Sequence, residues 1–130
     1  WMFPENIQKK IQEIMDRTKN HKKHIINFAM AYGGREEVID AATKIAKAVK
    51  EGKLDIKDIN EEVFKNNLYL KDEPELIIRT GGEQRTSNFL AFQGVYSEYL
   101  FVDKMWPEFE KKDFINCLEE YTNRKRRFGK

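Results

Sequence analysis

Between Glu5 and Lys19 the apolar residues Ile7, Ile11, Ile14 and Met15 recur at helical spacing, and Pro4 stands where a first turn tolerates a missing N–H. Ile25 to Ala31 breaks that rhythm. It is apolar apart from Asn27, short and bounded by polar turns, which predicts a buried strand of a parallel sheet. Tyr32-Gly33-Gly34-Arg35 then reads as a tight strand-to-helix loop. From Glu36 onward, Val38, Ile39, Ala42, Ile45, Ala46 and Val49 predict a long amphipathic helix, ended by Gly52 as a left-handed cap.

Leu54 to Leu70 predicts a short helical hairpin in which Asp58 or Asn60 caps a helix that buries Val63 and Phe64. Lys71 to Pro74 is a turn, and Leu76–Ile78 a second strand. Asn88 to Tyr96 predicts a helix capped by Ser87 or Asn88, with Phe89, Phe92 and Tyr96 near one face. Tyr99 to Val102 predicts a third strand, and Trp106-Pro107 a loop. Lys111 to Arg127 predicts a final helix with Phe114, Cys117, Leu118 and Tyr121 inward. Its basic end, Arg124 to Arg127, opposes the helix dipole. Strands alternating with helices imply one α/β domain over residues 1–130, an open, mostly parallel sheet flanked by helices with right-handed crossovers. Ligands of such sheets bind beyond the carboxyl ends of the strands, where Tyr32–Arg35 and Arg79–Arg85 fall. Glu98 is not placed by this rule.

Composition narrows the classes. The 130 residues are 40% hydrophobic and 35% charged, but the net charge is only +2. That balance excludes a general nucleic-acid coat and a strong electrostatic membrane anchor. Cys117 is the only cysteine and cannot form an internal disulfide, which favours a reducing compartment. No apolar run is long enough to cross a bilayer. The expectation is a cytoplasmic protein, with peripheral membrane contact as the variant. The start Trp1-Met2-Phe3-Pro4 suggests a chain that begins within a longer protein, and a tag remnant would read the same.

The densest chemistry lies in Leu76–Glu98. An apolar run ends in Arg79, the pair Gly81-Gly82 follows, and then come Glu83, Arg85 and Ser87. Two guanidinium forks, a hydroxyl and loop amides suit a phosphate or diphosphate. The competing reading is a salt-bridge network in which Glu83 and Glu98 neutralise the arginines. Glu98 could likewise hold Mg²⁺ against a diphosphate or be a satisfied helix-end carboxylate. Tyr32-Gly33-Gly34-Arg35 reads equally as a second phosphate loop and as a tight turn. His21 and His24 read as a solvated turn, since no cysteine or carboxylate cluster joins them. Cys117 sits on an apolar face with no basic partner and reads as core.

These residues carry a resemblance. Ile78-Arg79-Thr80-Gly81-Gly82-Glu83-Gln84-Arg85-Thr86-Ser87-Asn88-Phe89-Leu90, followed by Gln93, Tyr96, Glu98 and Trp106-Pro107, resembles the C-terminal signature of the cis-prenyltransferases, the undecaprenyl diphosphate synthase-like enzymes. Tyr32 to Arg35 and Arg126 to Gly129 resemble two further family segments in the right order. The resemblance implies condensation of isopentenyl diphosphate onto an allylic diphosphate, such as farnesyl or geranylgeranyl diphosphate, with Mg²⁺ required. It implies that Arg79, Arg85 and Ser87 hold the diphosphate of isopentenyl diphosphate and that Glu98 helps place Mg²⁺. It also implies that Arg127 and Gly129, as the family's Arg-x-Gly, reach the substrate site across a homodimer interface.

Departures from the family pattern matter too. The family's Asp-Gly-Asn-x-Arg loop, whose Asp partners the metal, is absent from this chain, as is its Asn-Trp-x-Arg-Pro segment. Ala31 and Phe92 replace a common Asn and Trp. The chain therefore reads as the C-terminal half of such an enzyme, inactive alone. The alternative is a non-catalytic partner subunit, but such subunits lose the Arg, Ser and Glu that Arg79, Arg85, Ser87 and Glu98 retain here. A weaker third reading is a general anion-binding domain.

Overall fold

The computed structural model describes residues 3–124. They form two compact units, one within Trp1–Tyr32 and one within Gly33–Lys130. In the first, α1 (Glu5–Thr18) follows Pro4, whose carbonyl accepts from the Ile7 and Gln8 amides. Its Ile7, Ile14 and Met15 are exposed. The strand predicted over Ile25–Ala31 does not form. Ile25 and Phe28 are 81% and 80% exposed, and no described residue pairs with them in a ladder. An apolar run becomes a strand only when a neighbour takes its amides and carbonyls, and apolar pattern alone does not supply one.

The second unit opens with α2 (Gly34–Lys50), which buries Gly34, Glu37, Ala41 and Ile45. Ile39, expected inside, is 63% exposed. Gly52, at φ +70°, closes the helix as expected: its amide bonds Val49 O and the Lys53 amide bonds Ala48 O, the paired bonds of a Schellman motif. α3 (Glu61–Asn67) is capped by Asn60, whose side chain accepts from the Val63 amide at 3.0 Å. Phe64 meets Phe92 with ring centroids 5.0 Å apart.

β1 (Leu76–Thr80) and β2 (Glu98–Val102) pair in parallel, with Leu76 opposite Glu98 and Arg79 opposite Phe101. These helices and the small parallel sheet make an α/β fold. Parallel neighbours need a long crossover, usually helical. The helix predicted over Asn88–Tyr96 is absent. Ser87, Asn88 and Leu90 take φ of +47°, +66° and +46°, incompatible with a right-handed helix, and only a short 3-10 turn forms at Gln93–Tyr96. The crossover is therefore an irregular loop, and it carries the candidate chemistry.

The last helix, α4 (Lys111–Asn123), ends before the predicted Arg127. Cys117 is buried and Tyr121 half-buried, but Phe114 and Leu118 are 46% and 40% exposed, against expectation. The start of α4 is tied down: the Asp113 carboxylate accepts from the Glu110 amide at 2.8 Å and from Lys104 Nζ at 2.9 Å. Burial pushes the Cys117 thiol up, as fits a core cysteine.

Candidate functional site

Beyond the carboxyl ends of β1 and β2 the chain turns at Gly81 and Gly82, at φ +97° and +74°, values that favour glycine. The backbone of the β2 exit holds both: the Gly81 amide bonds Lys104 O at 2.8 Å and the Gly82 amide bonds Val102 O at 3.0 Å. Those two amides are thus taken and do not face a ligand. The guanidinium of Arg79, at the end of β1, instead reaches across the turn. Its Nη1 donates to the Arg85 carbonyl and, at 3.0 Å, to Ser87 Oγ. Among the described residues no carboxylate forms an ion pair with Arg79. Among the described residues its charge meets neutral oxygens.

Arg79, Arg85 and Ser87 line one cleft of about 340 Å³, walled on its apolar side by Ile77, Phe89 and Tyr99. The sequence-expected trio is therefore together. Arg85 Nη1 pairs with Glu83 at 2.6 Å, with both side chains more than half exposed. The space behind Tyr99 is tight, since a Cβ on Gly94 would lie 2.6 Å from the Tyr99 hydroxyl.

Glu98 is not brought to this cleft. It starts β2 opposite Leu76, three residues before Arg79, which at strand rise is about 10 Å away along the sheet. Its carboxylate accepts from Arg124 Nη1 at 2.9 Å, and the same nitrogen donates to Tyr99 O at 3.0 Å. Glu120 and then Glu98 hold the Arg124 guanidinium above its ordinary pKa. Among the described residues no three His, Cys, Asp or Glu side chains cluster as a metal centre, His21 and His24 included. Arg127 and Gly129 lie outside the described residues, as do Lys125 and Arg126.

Two residues take roles that the sequence pattern does not assign them. Asn88, expected to cap a helix of its own that does not form, caps α2 instead. Its carbonyl accepts from the Gly34 amide at 2.7 Å and its Oδ1 from the Arg35 amide at 2.8 Å. The Gly33–Arg35 turn therefore offers an anion two fewer amides than its sequence suggested. Glu37, fully buried, was unremarked. Its Oε1 accepts from the Tyr69 amide at 2.8 Å, the Leu70 amide at 3.2 Å and Gln93 Nε2 at 3.0 Å. A carboxylate in line with Gly34, Ala41 and Ile45 on one helix face was the signal available.

A prenyltransferase family model, described as undecaprenyl diphosphate synthase, matches residues 1–129. The chain is 47% identical to the tritrans,polycis-undecaprenyl-diphosphate synthase (geranylgeranyl-diphosphate specific) of Methanocaldococcus jannaschii, covering 99% of this chain and 48% of that protein. It is 46% identical to the synthase of the same description from Thermococcus kodakarensis, covering 99% of this chain and 50% of that one. The crystal structure of lavandulyl diphosphate synthase from Lavandula x intermedia, in complex with dimethylallyl diphosphate, superposes with a TM-score of 0.95 at 38% identity. That match covers 99% of this chain and 56% of the other. The chain spans about half the length of the curated relatives it matches. With the cleft, the loop and these likenesses in agreement, the chain belongs to the undecaprenyl diphosphate synthase family of prenyltransferases.

Proposed function

We propose that this chain is the C-terminal portion of a cis-prenyltransferase domain and supplies the isopentenyl diphosphate side of its active site. The complete enzyme condenses isopentenyl diphosphate onto an allylic diphosphate, and the names of the relatives point to geranylgeranyl diphosphate as the primer. The observation that carries the reading is Arg79: a half-buried residue whose guanidinium is fixed by Ser87 and the Arg85 carbonyl, with no described carboxylate against it. A diphosphate supplies the missing counter-charge, and in a site closed to water that attraction strengthens. Arg85 exchanges Glu83 for a phosphoryl oxygen, and Ser87 donates its hydroxyl proton to another. The apolar wall of Ile77, Phe89 and Tyr99 suits the five-carbon isoprenyl group.

In the reaction C1 of the allylic diphosphate bonds to C4, the terminal alkene carbon of isopentenyl diphosphate, as or after the allylic C1–O bond breaks and diphosphate leaves, and loss of a proton from C2 of the isopentenyl unit forms the new double bond. This chain's part is to hold the acceptor still while that happens. By the same reading the allylic diphosphate is held by the half of the enzyme not matched here, and this chain alone does not turn over. Enzymes of this class generally use a divalent metal, and Mg²⁺ is the ion expected at Glu98. The described residues do not fit a metal centre: Glu98 is a single carboxylate, held by Arg124 and away from the cleft.

The family's Arg-x-Gly, Arg127 and Gly129, supports a homodimer in which this tail serves the partner's site. Among the described residues no helix is long and apolar enough to cross a membrane. The reading places the enzyme in the cytoplasm, touching the membrane through its lipid product. The test is Arg79→Ala or Arg85→Ala in the complete enzyme. Use of isopentenyl diphosphate should weaken about tenfold or more, about 1.4 kcal/mol. Unchanged kcat/KM for that substrate would sink the assignment.

A further inference from the structure

We propose that Asn88 is a positioning residue for the diphosphate site, clamping the anion loop onto the first turn of α2. The inference rests on the functional reading just given and adds to it a residue that does not touch substrate. The first amides of a helix have no partner within the helix. In α2 two of them are filled by one residue far along the chain: Asn88 O takes the Gly34 amide at 2.7 Å and Asn88 Oδ1 takes the Arg35 amide at 2.8 Å. Both acceptors of one residue are committed to one helix end, so Asn88 fixes direction as well as distance.

The approach is built into the sequence on both sides. A Cβ on Gly34 would lie 2.8 Å from the Ala91 amide and 2.9 Å from Asn88 O, so only glycine admits the loop there. A Cβ on Gly33 would lie 3.1 Å from Asn88 Nδ2. Asparagine is in turn a side chain that tolerates the left-handed φ of +66°. Its neighbour Ser87 has no such chemistry, yet is held at +47°. Left-handed backbone at ordinary residues persists only where the surroundings over-determine it.

The consequence runs to the site in two steps. Asn88 pins Ser87 in its unusual backbone conformation, and Ser87 Oγ receives Arg79 Nη1 at 3.0 Å. Farther along the same crossover, buried Gln93 is tied to Glu37, one turn into α2. The stretch between Asn88 and Gln93 is thus stapled to one helix at both ends, and α2 is the rigid element that sets Ser87 against Arg79, which β1 carries.

The experiment uses the complete enzyme and compares Asn88→Gly with Arg79→Ala. Glycine keeps the left-handed backbone and the carbonyl bond to Gly34 but removes the bond to Arg35. Steady-state kinetics with isopentenyl diphosphate, calorimetric binding of inorganic diphosphate, and melting temperature are measured together. The expected result is that Asn88→Gly raises KM and the inorganic diphosphate Kd about tenfold, with kcat falling less than KM rises and the melting temperature little changed. Unchanged or tighter diphosphate binding in Asn88→Gly, while Arg79→Ala weakens it, overturns the proposal alone. Tighter binding would mean that Asn88 competes with the anion for the α2 amides. A large fall in melting temperature with KM unchanged reduces Asn88 to a structural residue and also overturns it. If Arg79→Ala itself leaves KM and Kd unchanged, the functional reading fails, and the positioning role falls with it.

Discussion

The two ends of the β1–β2 pair use the same kinds of side chain to opposite effect. At the carboxyl end Arg79 reaches the Arg85 carbonyl and the Ser87 hydroxyl, both neutral. At the other end Arg124 bonds Glu98 at 2.9 Å and Glu120 at 2.5 Å, and is neutralised twice over. Close by, the Tyr121 hydroxyl bonds Glu75. Two arginines at opposite ends of one small sheet, one in β1 and one at the end of α4, thus differ in what their charge is for. One is positioned by groups that cannot cancel it and remains attractive to an anion. The other is closed by carboxylates and holds the α4 end against β2. An arginine's sequence neighbours do not reveal this difference, whereas the charge of its partners does.

The sharpest way to break the comparison is to remove each arginine from the complete enzyme. Arg79→Ala should raise the KM for isopentenyl diphosphate about ten- to hundredfold. Arg124→Ala should lower the melting temperature while leaving that KM within about threefold, because its loss exposes the unpaired Glu98 rather than the cleft. Equal KM effects would erase the distinction between the two ends.

A second substitution tests the scaffold of the open end. Gly34→Ala places a methyl against the Ala91 amide and Asn88 O, both backbone atoms that cannot swing aside. Overpacking of this kind costs about 1 to 3 kcal/mol. Chemical denaturation should show the loss, with diphosphate affinity falling alongside it. Full affinity in a destabilised variant would show that α2 does not aim the loop.

A smaller effect is expected from the side that supports Gly81. Lys104, whose carbonyl receives the Gly81 amide, pairs through Nζ with Asp113. The Glu110 amide first, and Lys104 second, hold the Asp113 carboxyl below its ordinary range. Its native pKa is lowered, so its contribution is whole at neutral pH, above the unfolded carboxylate value. It is lost as pH falls through the lowered native value. Asp113→Asn should therefore melt a few degrees lower than the parent at pH 7, with the gap closing in strong acid. A gap that persists unchanged at low pH would deny the carboxylate that role.

Much of this site was legible in the chain, and the reasons are specific. Arg79, Arg85 and Ser87 lie close in sequence around a glycine pair, so one local turn brings them together and local chemistry suffices to find them. The capping of α3 by Asn60 and the Gly52 closure of α2 are equally local. What sequence could not supply was long-range. The apolar run Ile25–Ala31 looks as strand-like as Leu76–Ile78, yet only the latter finds a partner among the described residues. Asn88 looked like the cap of its own helix because capping chemistry is the same whichever helix receives it. The phenylalanine spacing after it suggested a helix, and the left-handed backbone at Ser87, Asn88 and Leu90 overrode that spacing. Glu98 was assigned by resemblance, and its ion pair with Arg124 depends on where α4 ends.

Arg85 stands between the two cases and gives the finest test. Its Nη1 lies 2.6 Å from Glu83, so it is neutralised like Arg124, but both partners are exposed, with side-chain accessibilities of 62% and 52%. Exposed pairs contribute little and are weakened by salt, so a diphosphate can displace Glu83 where it could not displace a half-buried carboxylate. Glu83→Gln in the complete enzyme should therefore lower the KM for isopentenyl diphosphate, by no more than about twofold at low salt. The difference from the parent should shrink as ionic strength rises. A KM that instead rises, and stays raised in high salt, would mean that Glu83 holds Arg85 in its binding position, and the pair would then belong with Arg124 rather than with Arg79.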